Sequence, residues 1–335
     1  MAAGFEFFTS ADSGAPVLHG AAGRLIAVLD WALVGKGGWG KAFTGTNLAA
    51  YRSGTGNRFF LRVDDTQATY SRIRAHRNMT AISTGTNQFP TNTQAGNINT
   101  WGVRKSFESS TAADPQRYWG VRTNRYLVLI VESISAGQMP PLGLRYRNWM
   151  VFGDVPSLAE ADAHNTIICA QPNIDNYYYD MIYNSMYRQA LSPGYGYSTN
   201  SAGSAMSGTP NGAVASPLCG VHWPFGNDYG GDTIKAALAL SDRMFFAPLI
   251  VGSTNSAIAN NGAAPRARIP NAQALYGPCY DGNGSEGDPQ LPATDLAPVT
   301  IGARQFLPIQ RYGNGAGGYN TEALLLEMTD TDGAL

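Results

Sequence analysis

Four histidines, His19, His76, His164 and His222, are the first residues to weigh for chemistry in this chain. Two imidazoles on one helix face share a zinc ion at i, i+4 spacing, and no pair here has it. HExxH is absent, and so is the Gly-x-Ser-x-Gly elbow that presents a hydrolase serine. Carboxylates offer more: Asp64-Asp65 ends a strand-like run, and Asp154, Glu160 and Asp162 gather around a turn. Paired carboxylates can hydrolyse glycosides or bind calcium. Aspartate is also the ordinary residue of turns and caps, and that reading is favoured. Gly35-Lys36-Gly37-Gly38 follows a helical pattern, whereas a phosphate-cradling run must precede one. The run at 313–318 lies between two strand-like segments and reads as a hairpin loop. Cys169, Cys219 and Cys279 are too dispersed for a disulfide framework or a metal site. Trp39, Trp101, Trp119, Trp149 and Trp223 could stack sugars, but core or interface packing is the favoured role. No catalytic residue, metal ligand or cofactor is assigned.

The elements that must position these residues are mostly strands. Ala21 to Val34 carries an apolar helical stripe through Leu25, Leu29 and Ala32, stopped by Gly35, which predicts a short helix over about 24–34. Strand-like runs follow at Lys41–Thr46, Leu48–Arg52, Arg58–Val63, Tyr70–His76 and Trp101–Phe107. In the third, Phe59, Leu61 and Val63 share one face, and Arg58, Phe60 and Arg62 the other. Tyr118–Arg122 and Arg125–Glu132 flank a two-residue turn at Thr123-Asn124. The second of these strands is apolar on both faces and belongs at the centre of its sheet. Asn148–Gly153 and Asn165–Ala170 continue the set, and strands return at Arg243–Val251, Val299–Ile301, Arg304–Arg311 and Thr321–Met328.

The fold expected is mainly β, an antiparallel sandwich or barrel with one short N-terminal helix. Long Gly/Asn/Ser-rich loops are expected at about 192–217, 253–264 and 280–290. Residues 1–155 form a β domain, and 156–335 a second β-rich region, either separate or continuous with it. Asp175–Leu191 reads either as a helix with an aromatic stripe or as an extended tyrosine-rich contact segment.

Formal net charge is -1 and only 14% of residues are charged. This gives no electrostatic case for nucleic acid or a membrane surface. Lysine occurs only at Lys36, Lys41, Lys105 and Lys235, so arginine carries the positive charge, which fits protein interfaces and equally the codon bias of a high-GC genome. The first residues lack a basic, then apolar, signal pattern, and no apolar run approaches the ~20 residues that span a bilayer. Synthesis in the cytoplasm as a soluble chain is expected.

Residues 14–65 carry a specific pattern: GAPVLHGAAGRLIAVLDWALV, then WGKAF, then TGTNLAAYRSGTGNRFFLRVDD. Later segments fit the same pattern: WGVRKS at 101–106, FGDVPS at 152–157, HNTIIC at 164–169 and GARQFLPIQRY at 302–312. The chain resembles a group of tailed-bacteriophage virion structural proteins. That resemblance implies a non-enzymatic, multi-copy virion component, in the tail or baseplate region or decorating the capsid. It implies partners that are copies of itself and other virion proteins. A receptor- or carbohydrate-binding module of a phage appendage, contacting a host-surface glycan, is the alternative. Arg58, Arg62, Arg72 and Arg74 are candidate contacts to acidic surfaces of neighbours, or simply solvate a sheet face. Tyr177, Tyr178 and Tyr179 are the other interface candidates.

Overall fold

The computed structural model describes residues 4–89, 102–106, 115–134, 145–156, 164–170, 196–199, 218–222, 245–253, 265–276, 298–310 and 322–329. The chain is mainly β, and among the described residues it has antiparallel sheets and one short helix. The predicted helix is present as α1 (Arg24–Leu29), but from Asp30 to Lys36 it widens into π geometry. Acceptors there are claimed from outside the helix. Arg122 Nη1 donates to Ala32 O (2.5 Å), and Tyr51 Oη donates to the Asp30 carboxylate (2.9 Å). Side-chain donors that insert into the i→i−4 ladder unwind it locally.

A smaller sheet holds β2 (Gly40–Gly45), β3 (Leu48–Arg52), β4 (Phe60–Asp64), β5 (Tyr70–Ala81) and β6 (Thr84–Phe89), with β7 (Gly102–Arg104) against β5. The larger sheet begins with β1 (Glu6–Thr9), β8 (Arg117–Arg122), β9 (Tyr126–Ile134), β10 (Arg145–Pro156) and β11 (His164–Cys169). It continues through β12 (Gly196–Thr199), β13 (Leu218–His222), β14 (Phe245–Ser253) and β15 (Pro265–Tyr276), then β18 (Glu322–Glu327), β17 (Arg304–Gln310) and β16 (Val299–Ile301). Both sheets run from one edge strand to another and close no barrel among the described residues, so the sandwich and not the barrel is what forms.

Two apolar layers follow from side-chain alternation. One face of β9 and β10, with Leu127, Leu129, Val131, Met150 and Phe152, packs on α1 and on Leu61, Val63, Ile73 and Ala75 of the small sheet. The opposite face, with Val128, Ile130, Trp149 and Val151, packs on Ile269, Leu307, Leu324 and Leu326 of β15, β17 and β18. The predicted central strand is thus apolar on both sides because both sides are covered. The large sheet passes without a break from β10 to β11, across residues 155 and 156.

Three expectations change. The β8–β9 turn is Asn124-Arg125, one residue later than predicted, because the Thr123 N–H donates to Tyr126 O (2.9 Å) and Thr123 Oγ1 accepts from Arg125 and Tyr126 (each 3.0 Å). The predicted loop at 192–217 contains β12, and β13 follows it; Gly- and Ser-rich strands show no alternation. Strands β1, β6 and β15 also lie where none was read. The segment Asp175–Leu191 and the loop at 280–290 lie outside the described residues, as does the 253–264 loop beyond Ser253.

Candidate functional site

The most complete polar constellation surrounds Asp65. Asp64 and Asp65 point to opposite faces of the sheet, so they cannot work as a carboxylate pair. Asp64 accepts from Thr66 Oγ1 (2.6 Å) and lies 3.9 Å from Arg72 Nη1. Asp65 turns inward, fully buried. Helix α1 has no side-chain cap of its own: its first residue follows Gly23, held at φ +80°. Asp65, forty residues on, does that work. Its Oδ2 accepts from the Leu25 and Ile26 N–H groups (2.8 and 3.2 Å), satisfying donors that a helix start leaves open. Its Oδ1 accepts from Ser71 Oγ (2.5 Å) and from Lys105 Nζ.

Lys105 is equally buried, and its other two donors reach Ala21 O (2.8 Å) and Gln67 O (2.9 Å). Burial pushes the Asp65 carboxyl up and the Lys105 ammonium down, and each charge opposes the shift of the other. Three acceptors around the ammonium and four donors around the carboxylate fit the charged forms. The cluster is sealed from solvent, so it fastens α1, β4, β5 and the end of β7 together and offers nothing to a substrate.

Beside it, Asn148 clamps the two sheets. Its Oδ1 accepts from Arg104 N (2.9 Å), and its Nδ2 donates to Arg104 O (2.9 Å) and Val131 O (3.2 Å).

A second constellation joins the β3–β4 loop to the large sheet. Asp154 Oδ1 accepts from Thr166 Oγ1, and Oδ2 from Asn57 N (both 2.5 Å). Asn57 Nδ2 also donates to Thr166 Oγ1 (3.0 Å). Arg125 Nη1 contacts His164 Nε2. Burial pushes the Asp154 carboxyl up, and burial with the nearby Arg125 pushes His164 down. Glu160 and Asp162, grouped with Asp154 in sequence, lie outside the described residues. Among the described residues no three His, Cys, Asp or Glu gather as a metal-binding cluster. Trp39, Trp119 and Trp149 are buried, with Trp39 Nε1 donating to Thr123 O (2.8 Å), so these three fill cores and present no sugar-stacking face.

The third constellation is the outer face of the small sheet, where three of the four predicted arginines meet. Arg62 of β4 sits directly opposite Arg74 of β5, and Asp64 opposite Arg72. Arg52 of β3, not foreseen, joins them with its guanidinium 4.7 Å from the Phe60 ring. Its only sequence signal was a polar position in a strand whose other face is apolar. Arg58 stands apart, exposed in the loop at φ +58°, its carbonyl accepting from Arg52 Nε (2.7 Å). Tyr177, Tyr178 and Tyr179 lie outside the described residues. The β5–β6 hairpin tip reaches across this face: Arg62 Nε donates to Ile82 O (2.8 Å), and Met79 and Ile82 complete an apolar cluster with Phe43, Ala50 and Phe60.

His76 is enclosed here at 5% exposure, with neither ring nitrogen hydrogen-bonded among the described residues. Burial, then Arg62 and Arg74, push it down from 6.5 to about 4. The folded chain therefore keeps His76 neutral where the unfolded chain protonates it. This costs nothing above pH 6.5, and stability falls as pH drops from 6.5 towards 4, by at most about 3 kcal/mol. Asp154, shifted up, works in the opposite direction, so the effect is read as a difference. Urea unfolding of wild type and His76→Phe across this range should show a shallower acid slope in the variant; equal slopes would remove His76 as the cause.

Among the described residues no helix is long and apolar enough to cross a membrane. Compared with protein families, curated proteins and solved structures, the chain matches none.

Proposed function

We propose that this chain is a non-enzymatic structural protein that acts by assembling, in many copies, into the particle of a tailed bacteriophage. One observation carries the reading: the separate segments that bear the phage-protein resemblance meet in space as packing posts. Asp65 of the FFLRVDD strand caps the helix of the GRLIAVLDWALV segment and holds Lys105 of WGVRKS. Asn57 of the GTGNRFF turn reaches Asp154 of FGDVPS and Thr166 of HNTIIC. A pattern made of posts that hold sheets together is a pattern of architecture. Function then lies in surfaces, and symmetric assembly is how virion proteins use them.

Quantitative mass spectrometry of purified particles from a lysate carrying this gene tests the proposal. The chain should co-purify at about six to eighteen copies for a tail-end component, or on the order of hundreds for a lattice. Its absence from particles, or clearing of host envelope in a zymogram by the isolated chain, would overturn it.

A further inference from the structure

We infer that the β5–β6 hairpin is a flap that acid releases, with protonation of His76 as the trigger. The inference goes beyond the reading of the chain as an assembling protein and does not depend on it. His76 lies in the middle of β5, on the outer face of the small sheet, directly opposite Phe60 of β4. The hairpin closes over it: β5 runs on to Ala81, turns, and returns as β6. The imidazole rests on Gly85 of the returning strand, where a β-carbon would come 2.5 Å from Nδ1. Only glycine there leaves room for the ring.

The enclosure suits a neutral ring alone. His76 is 5% exposed, and neither ring nitrogen has a hydrogen-bond partner among the described residues. A neutral imidazole leaves one N–H unmet in such a place, and a protonated one leaves two, with a full charge besides. The charged groups closest around it are themselves cationic, Arg62 of β4 and Arg74 of its own strand. Strand β6 brings no titratable residue between Thr84 and Phe89, and Arg52 of β3 lies over the Phe60 ring. Asp64, the only carboxylate of β4 and β5, stands opposite Arg72, two pairs further along the face. Proton uptake therefore favours a state in which the ring reaches water.

The hairpin is the part that can yield. Among the described residues β6 is the end strand of its sheet and pairs with β5 alone, so its release breaks no other ladder. Its tip is fastened by Arg62 Nε on Ile82 O (2.8 Å), and by Met79 and Ile82 packed on Phe43, Ala50 and Phe60. Opening uncovers that cluster, so acid exposes apolar surface that neutral pH conceals. With the ring at 6.5 when released and about 4 when enclosed, opening is favoured about twentyfold more at pH 5 than at pH 7.

The test is hydrogen–deuterium exchange of the full chain at pH 7 and pH 5, corrected for the intrinsic pH dependence of exchange. Wild type, His76→Phe and His76→Gln are compared by mass spectrometry. In wild type the amides of 78–89 should lose about twentyfold in protection at pH 5, while those of β9 and β10 keep theirs. In the variants the hairpin should be equally protected at both pH values, and either variant suffices if the other does not fold. Unchanged hairpin protection in wild type, or an equal loss in a folded variant, would overturn the inference. So would loss of protection in β9 and β10 together with the hairpin, because the chain then unfolds as a whole and holds no flap.

Discussion

Lys105→Met should destabilise the chain by about 3–5 kcal/mol, the usual result of stripping a buried charge of its partner. Methionine nearly conserves volume, so packing is not the cause. What changes is that Asp65 stays buried with its carboxylate uncompensated, while the carbonyls of Ala21 and Gln67 each lose a donor. The Leu25 and Ile26 amides still need an acceptor, so Asp65 cannot simply become neutral without weakening the start of α1. Pairing the change with Asp65→Asn should restore part of the loss, since the orphaned charge disappears while the cap oxygen remains. Urea unfolding of the two single variants and the double variant measures this. A loss under about 1 kcal/mol in Lys105→Met would show that water reaches the pair and that it locks nothing.

Gly153→Ala should be comparably damaging, for a backbone reason. Gly153 sits in β10 opposite Tyr126 at φ +123°, a conformation that side-chain-bearing residues rarely adopt. A β-carbon there would come 2.1 Å from Arg125 O and 2.6 Å from Tyr126 Cα, and backbone cannot rotate away as a side chain can. The strand would have to shift, carrying Asp154 off Asn57 and Thr166. Gly302 is the matched control: its φ is +63°, but nothing lies within 4 Å of an added β-carbon. Gly302→Ala should cost about 1 kcal/mol and Gly153→Ala about 3 kcal/mol or more, read by chemical denaturation of both. Equal losses would mean that the strand yields to the added β-carbon, and that the β8–β9 turn does not constrain Gly153.

These two sites show where sequence reading succeeds and where it ends. The alternation at Phe59, Leu61 and Val63 named the buried face of β4 correctly, because a strand's period is local information. The doubly apolar YLVLIV run named the central strand for the same reason. The partner of Asp65 is forty residues away, and that of Asn57 is ninety-seven away; no periodicity encodes such pairings. Asp65 was visible as a turn-or-cap residue, and a cap is what it is, but the helix it caps lies earlier in the chain.

Strand β15 was missed because its prolines argue against a strand. The sheet accommodates Pro270 by a register shift against β14, and Asn271 there takes φ +59°. The irregularity aims the Asn271 side chain at the Tyr126 hydroxyl and at Glu327, whose carboxylate also takes Arg304. Strand alternation alone put Arg72 and Arg74 on one face of their strand, and Arg62 with Arg58 on one face of another. The like-charge opposition of Arg62 and Arg74 depends on β4–β5 register, which was not readable.

Strand β1 ends at Thr9, yet its only strand partner among the described residues is β8, which ends at Arg122. At translation rates of about 5–20 residues per second, β1 leaves the ribosome on the order of ten seconds before its partner exists. Phe7 and Phe8 spend that interval without the sheet that will bury Phe8 completely. The β1 segment therefore emerges adhesive, and a nascent-chain chaperone is the natural guard for it.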